Sequence, residues 1–475
     1  MTIDNIDVDK TLSQVEVLLA QEKNISPALR ALIEVLIMLV TLLTHRLNLN
    51  SRNSSKPPSS DPNRKKNIHA GSPRKPGGQK GHVGTTLKPV ENPDEIKVIN
   101  IDRRTIPAGR YRQVGVEARQ VMEIDFSSFV TEYQAQILED ASGQRFVAEF
   151  PQGVSRPIQY GPRLKAQAVY LSQFQLIPYN RIQDYFADQL DIPLSAGSLV
   201  NFNQQAYVAL DQYEDWVKDQ LRHAPLLHAD ETGINVGGVR IWLHVTCSPL
   251  LTHFAPHQKR GREAMEDIGI LPMFHGTLCH DHWKPYYTLD CIHALCNAHH
   301  LRELTHAFEQ DEQQWAKEMQ DWLLEAKAAV DEAGGALNKT QEGKYKKRYR
   351  AILAKAQIEC PPPNEHRKKG QRGRIKRSKA RNLLERLIQY EGDVLRFMES
   401  EGVPFTNNQG ENDLRMTKVQ QKISGCFRSM EGAQMFCRIR GYLSTCRKHN
   451  VSATEALFLL FQGQLPDFIS LDGAE

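Results

Sequence analysis

Cysteine is absent from the first 246 residues of this 475-residue chain, and all eight cysteines come after them. The eight fall into no even set of short spacings, which excludes a disulfide scaffold and fits a reducing compartment. Long apolar runs are also scarce. The most apolar stretch, Val35–Thr44, has about ten residues and follows Arg30 and Glu34, short of the roughly 20 that a bilayer span needs, so no membrane helix is expected. The start, Met1–Asp9, is acidic and lacks the charged-then-apolar order of an export signal, which points to the cytoplasm. Acidic residues are nearly missing from one stretch. Between Ser51 and Lys88 the sole acid is Asp61, against nine lysines and arginines that include Lys65 and Lys66. A second basic block, Arg367–Arg381, contains Arg372, Arg374, Lys376 and Arg377. A net charge of +4 conceals both blocks, and such runs suit phosphate backbones.

What is present divides the chain into parts, as expected for a length beyond one compact core. Leu29, Ile33, Leu36, Val40, Leu43 and Leu47 alternate spacings of four and three, the seam of a heptad repeat. A coiled-coil helix over residues 1–50, pairing as a homodimer or larger homo-oligomer, is the expectation. Residues 51–95 read as a basic, Pro/Gly-rich linker with too few apolar side chains to order alone. Residues 96–158 hold alternating β-branched runs such as Val121–Val130 and Arg145–Phe150 with a turn at Ser142-Gly143, and read as a small β-rich module. Within the helical 159–223 region, RIQDYFADQL, DIPLS and AGSLVNFNQQA give helix, turn, helix, with Ser195 as cap, the outline of a DNA-binding helix-turn-helix and of many ordinary helical hairpins.

From Pro225, LLHADETGI, RIWLHVTCS and LLTHFAPH read as three hairpin-linked strands, with turns at Gly237-Gly238 and Ser248-Pro249; a helix, GREAMEDI, and a fourth strand, TLCHDHW, follow. That order matches a ribonuclease-H-like core over 224–310, resumed in 400–475 after a helical, basic insertion at 311–399. Asp230 lies inside one apolar strand and Asp281 near the end of another, where bare carboxylates are costly unless paired or bound to a cation. Adjacent strands would unite them, and a carboxylate from a later helix would complete an oxygen cage suited to two Mg²⁺ or Mn²⁺ ions. Among many glutamates, NNQGENDLRMTKVQQKISGCFRS points to Glu411: on a helix it shares a face with Arg415, Lys418 and Lys422, although a surface Glu–Arg pair would look the same.

The combination NSSKPPSSD, HADET, HDHWKPYY with CIHALCNAHHLREL, and NNQGENDLR with KISGCFRS resembles the large transposase of the insertion-sequence-sixty-six family, from about Asn50 to Leu460. The resemblance implies a DDE transposase of a bacterial mobile element, with Asp230, Asp281 and Glu411 as both catalytic and metal-binding residues and Lys418 on the transposon-end phosphate. It implies double-stranded DNA as partner, at transposon ends and target, and small accessory transposition proteins. Relatives carry a cysteine-ligated zinc module ahead of the core, which the cysteine-free first half cannot supply. A different possible structural zinc set is Cys291, Cys296, His299 and His300, equally readable as packing residues within a helix. Glu231 and Asp413 are set aside, since Glu231 alternates away from Asp230 along the strand and Asp413 lies off the Glu411 face. Two alternatives share these features: a nuclease or resolvase on the same fold without strand transfer, and a non-catalytic DNA-binding relative.

Overall fold

The structure, a computed structural model, describes residues 2–3, 6–22, 25–47, 49–50, 52–54, 89–363 and 377–471. These form two compact units, one of Met1–Arg64, Phe150–Phe186 and Pro193–Glu475, the other of Lys65–Glu149 and Ala187–Ile192. Together they are a mixed α/β protein.

The larger unit opens with two-residue strands β1 (Thr2–Ile3) and β2 (Ile6–Asp7), then helices α1 (Val8–Gln21) and α2 (Pro27–Leu47). The heptad segment is therefore helical, and five of its six seam residues, Leu29, Leu36, Val40, Leu43 and Leu47, are exposed. The ten-residue run extends to an 18-residue stretch, Pro27–Thr44, long and apolar enough by composition to cross a membrane, because Arg30 and Glu34 are isolated charges within a continuous helix.

In the smaller unit, β3 (Ile137–Glu139) and β4 (Arg145–Val147) form an antiparallel hairpin. Its turn is closed by Asp140, whose carboxylate accepts the Ser142 N–H, and by Gly143 at φ +85°. The expected strand at Val121–Val130 does not form. Its alternating apolar side chains have no opposing layer to bury them, and Val130 stays 95% exposed.

In the larger unit again, α3 (Pro162–Val169) runs into a π-helical turn, Tyr170–Phe174, followed by α4 (Tyr179–Leu190), α5 (Ala196–Ala209) and α6 (Asp211–Arg222). Ser195 caps α5 by accepting the Ser198 N–H at 3.0 Å. The core sheet follows as β5 (Leu226–Val236), β6 (Val239–Cys247), β7 (Thr252–His257), the helix α7 (Arg262–Ile268), β8 (Thr277–His280) and β9 (Ile292–Leu295), in the spatial order β7-β6-β5-β8-β9. β5, β6 and β7 are antiparallel neighbours, whereas β8 and β9 join parallel. Gly237 and Gly238, both at positive φ, make the β5–β6 turn, the backbone that a two-residue hairpin demands. β9 was not expected. Its four residues, three of them apolar, lead into α8 (Asn297–Asp311), and so short a run carries no periodicity to separate strand from helix.

Helices α9 (Gln314–Ala333), α10 (Lys339–Glu359), α11 (Lys379–Gln389) and α12 (Glu391–Glu399) follow. With α8 they share a core built on Trp315, Trp322, Tyr349, Leu384 and Val394. The chain then returns to the sheet through α13 (Asn408–Ser424), α14 (Met430–Lys448) and α15 (Ala453–Phe461).

Candidate active site

Strand register brings the two aspartates together. β5 pairs with β8 through Leu226↔Thr277, Leu227↔Leu278 and His228↔Cys279; continued two residues further, this register sets Asp230 beside Asp281. Neighbouring strands lie about 4.8 Å apart, and residues an even number of steps along a strand share a face.

Helix α13 lies along β5 and brings Glu411 to the same place. Asn407, at its N-cap position and 1% exposed, is the main tie. Its Nδ2 donates to the Ala229 carbonyl at 2.9 Å, its Oδ1 lies 2.7 Å from His228 Nδ1, and its N–H donates to Cys296 Sγ at 3.1 Å. Gly410 faces the strand, where a Cβ would make ordinary contacts with Asp230 Cβ at 3.6 Å and with the Asn407 amide at 3.4 Å. Midway, Lys418 Nζ donates to the Gly233 carbonyl at 2.8 Å. Beyond the far end, Phe427 bridges β5, its N–H donating to Asn235 and its carbonyl accepting from Gly237.

The carboxylates disturb one another. Burial, then the Glu231 charge, then those of Asp281 and Glu411, push the Asp230 carboxyl up to about 8, against the pull of the Glu231 N–H. Burial and Glu231 push Asp281 up to about 6, opposed by the Trp283 N–H, Arg260 and Arg386. Among the described residues no side-chain cation pairs with Asp230. Partly buried acids without a cation, offering hard oxygen donors, have the chemistry that fits Mg²⁺ or Mn²⁺.

Glu231 and Asp413 have other duties. The Glu231 carboxylate receives Arg260 and, at 2.6 Å, the Tyr286 hydroxyl; Arg260 in turn lies over the rings of Trp242 and Trp283. Asp413 pairs with Lys448 at 3.1 Å and accepts from Thr252. Even so, the Glu231 charge acts on both aspartates, an influence that strand alternation alone does not reveal.

Arg415, Lys418 and Lys422 are exposed along α13, on the side that carries Glu411. Arg377 is half-buried and paired with Glu385, so its charge is partly neutralised. Lys65, Lys66, Arg372, Arg374 and Lys376 lie outside the described residues. The four-member Cys/His set is not brought together. Cys296 and His299 meet Glu411, with donor atoms within 4.8 Å of one another, while His300 turns its Nδ1 to Asn297 and Cys291 sits at the start of β9. Cys296 is also not inside a helix but at the N-cap of α8. Arg302 Nη2 lies 3.4 Å from Glu411 Oε1. Sequence reasoning missed Asn407 and Arg302; the asparagine pair ahead of a helix was the available signal for Asn407.

Comparison with known proteins adds a family. Residues 157–435, more than half of the chain, match the model of the family described as "Transposase IS66 family". Residues 6–88 match a model described as a family of unknown function. The uncharacterized protein y4jO of Sinorhizobium fredii is 34% identical over 91 residues, 19% of this chain and 26% of that protein, so the chain spans about a quarter of this curated relative.

Proposed function

The chain belongs to the IS66 transposase family, and from that premise we propose that it is a DDE transposase, cleaving transposon ends and joining their 3′-hydroxyls to target DNA. The supporting observation is the convergence of Asp230, Asp281 and Glu411 from two paired strands and a helix tied along the first of them. The sheet order, three antiparallel strands followed by two parallel ones on the other side of the first, supports a ribonuclease-H-like core.

Mg²⁺ or Mn²⁺ bound among the three carboxylates would activate the attacking water or 3′-hydroxyl and neutralise the leaving oxygen. The protein's own part is placement. β5 and β8 hold the aspartates on rigid backbone, and the clamped α13 holds Glu411, so the donors need little reorganisation during the reaction. Arg415, Lys418 and Lys422 continue from Glu411 along α13 as cations for the phosphate backbone on which the attacked bond lies. The basic segments around Lys65 and Arg372 would add sequence-independent affinity. The exposed seam of α2 would pair two copies and so bring two transposon ends together, in the bacterial cytosol and with accessory proteins encoded beside it.

The test is strand transfer with pre-cut ends and Mg²⁺, using Asp230→Ala, Asp281→Ala and Glu411→Ala separately. Each should abolish joined product while leaving end binding in place. Activity retained by any one removes that residue from the set, and hydrolysis without joining by the unaltered protein would favour a nuclease.

A further inference from the structure

We infer that Cys296, His299 and Glu411 form a binding site for a borderline divalent cation of the zinc or cobalt class, seated where α13 meets the start of α8. Cys296 and His299 come from the start of α8 and Glu411 from α13, more than 100 residues later, yet one donor atom from each lies within 4.8 Å of the others. His299 Nδ1, 3.9 Å from Glu411 Oε1, is buried without a hydrogen-bond partner, an unmet need that a cation would satisfy. Cys296 Sγ accepts the Asn407 N–H at 3.1 Å, which holds the sulfur in place, while burial raises the thiol's pKa, so the thiolate a metal requires would form on binding.

The donor set decides the class of ion. Sulfur and imidazole nitrogen discriminate against Mg²⁺ and favour zinc-like cations, and three protein ligands leave a fourth position open. Ligands about 2.0–2.3 Å from a tetrahedral ion stand roughly 3.3–3.8 Å apart, so the trio must close by about 1 Å. Glu411 and His299 are one-third exposed and can supply that movement. Binding would release the Cys296 proton to solvent. The rival cation is Arg302, 3.4 Å from Glu411, which the ion must displace or tolerate. An ion here would hold one oxygen of Glu411 and fix its side chain. Only this consequence for catalysis rests on the transposase reading; the binding does not.

The experiment is a Co²⁺ titration of the metal-free full chain in a Cys426→Ser background, which removes the exposed thiol, with excess Mg²⁺ present. A sulfur-to-cobalt charge-transfer band saturating at one ion per chain, and bleached by Zn²⁺, is the expected result. The band should vanish in Cys296→Ser, weaken in His299→Gln, persist in Asp230→Asn, and saturate at lower Co²⁺ in Arg302→Gln. If Cys296→Ser fails to fold by circular dichroism, Glu411→Gln serves instead, keeping the band's sulfur while shifting the ligand-field bands. No band in the parent protein, a band surviving Cys296→Ser, or ligand-field bands unmoved in Glu411→Gln overturns the site. None of these readings depends on strand transfer, so the metal site and the transposase assignment fail separately.

Discussion

Asn407 shows how much of a charged site depends on a neutral side chain. It touches β5 at two residues and the β9–α8 junction at one, through Ala229, His228 and Cys296. It thus sets Glu411, four residues on, against Asp230 and beside Cys296. Asn407→Ala would leave the Ala229 carbonyl and His228 Nδ1 without their partner in a buried setting, and each such orphaned group costs about 1–3 kcal/mol. Urea unfolding should register a destabilisation of roughly 2–6 kcal/mol; a change within error would mean that α13 is held by its other ties. The aspartates were legible as buried acids in apolar strands, and Glu411 as a helix position followed by cations. Asn407 was not, because its role is made entirely of interactions with residues more than 100 positions away.

Among elements, α13 matches in length the His228–Val236 stretch of β5. The stretch from His228 to Val236 spans about 27 Å at roughly 3.4 Å per residue, and the 17 residues of α13 span about 25 Å at 1.5 Å each. A helix and a strand of equal length can be tied at both ends without strain, which is how α13 keeps Glu411 in register with the sheet. Helix α2 is the opposite case, with an apolar face and no covering partner among the described residues. Its seam spacing argues for a second copy. Val40→Asp should convert an oligomer to a monomer in sedimentation equilibrium; an unchanged mass would remove α2 from the interface. Helices with capping residues and clear periodicity were readable in advance, as Ser195 ahead of α5 illustrates. β9 and the Val121–Val130 run were misread, because a short apolar run becomes strand or not according to what lies beside it.

For the whole molecule, the proposed DNA contacts fall in several segments separated in sequence. The basic block around Arg372 is separated in sequence from the proposed catalytic carboxylates, and Arg377 within it is already paired with Glu385. Neutralising Arg372, Arg374, Lys376 and Arg377 together should therefore lower the salt slope of end binding by about 3 rather than about 4, at roughly 0.9 for each phosphate that is no longer neutralised. Fluorescence anisotropy across a salt series measures this, and an unaltered slope would remove the block from the DNA interface.

The sequence by itself determined the family and the order of the first four core strands, and it singled out three acids as candidates, since motifs, turn residues and apolar periodicity are local properties of a chain. Tertiary structure alone decided that β9 completes the sheet, that Glu231 belongs to Arg260 and Tyr286 while still acting on both aspartates, and that Cys296 and His299 answer to Glu411 rather than to Cys291 and His300. These are facts of juxtaposition. They depend on register and on the path of the chain between distant segments, and neither composition nor spacing records them.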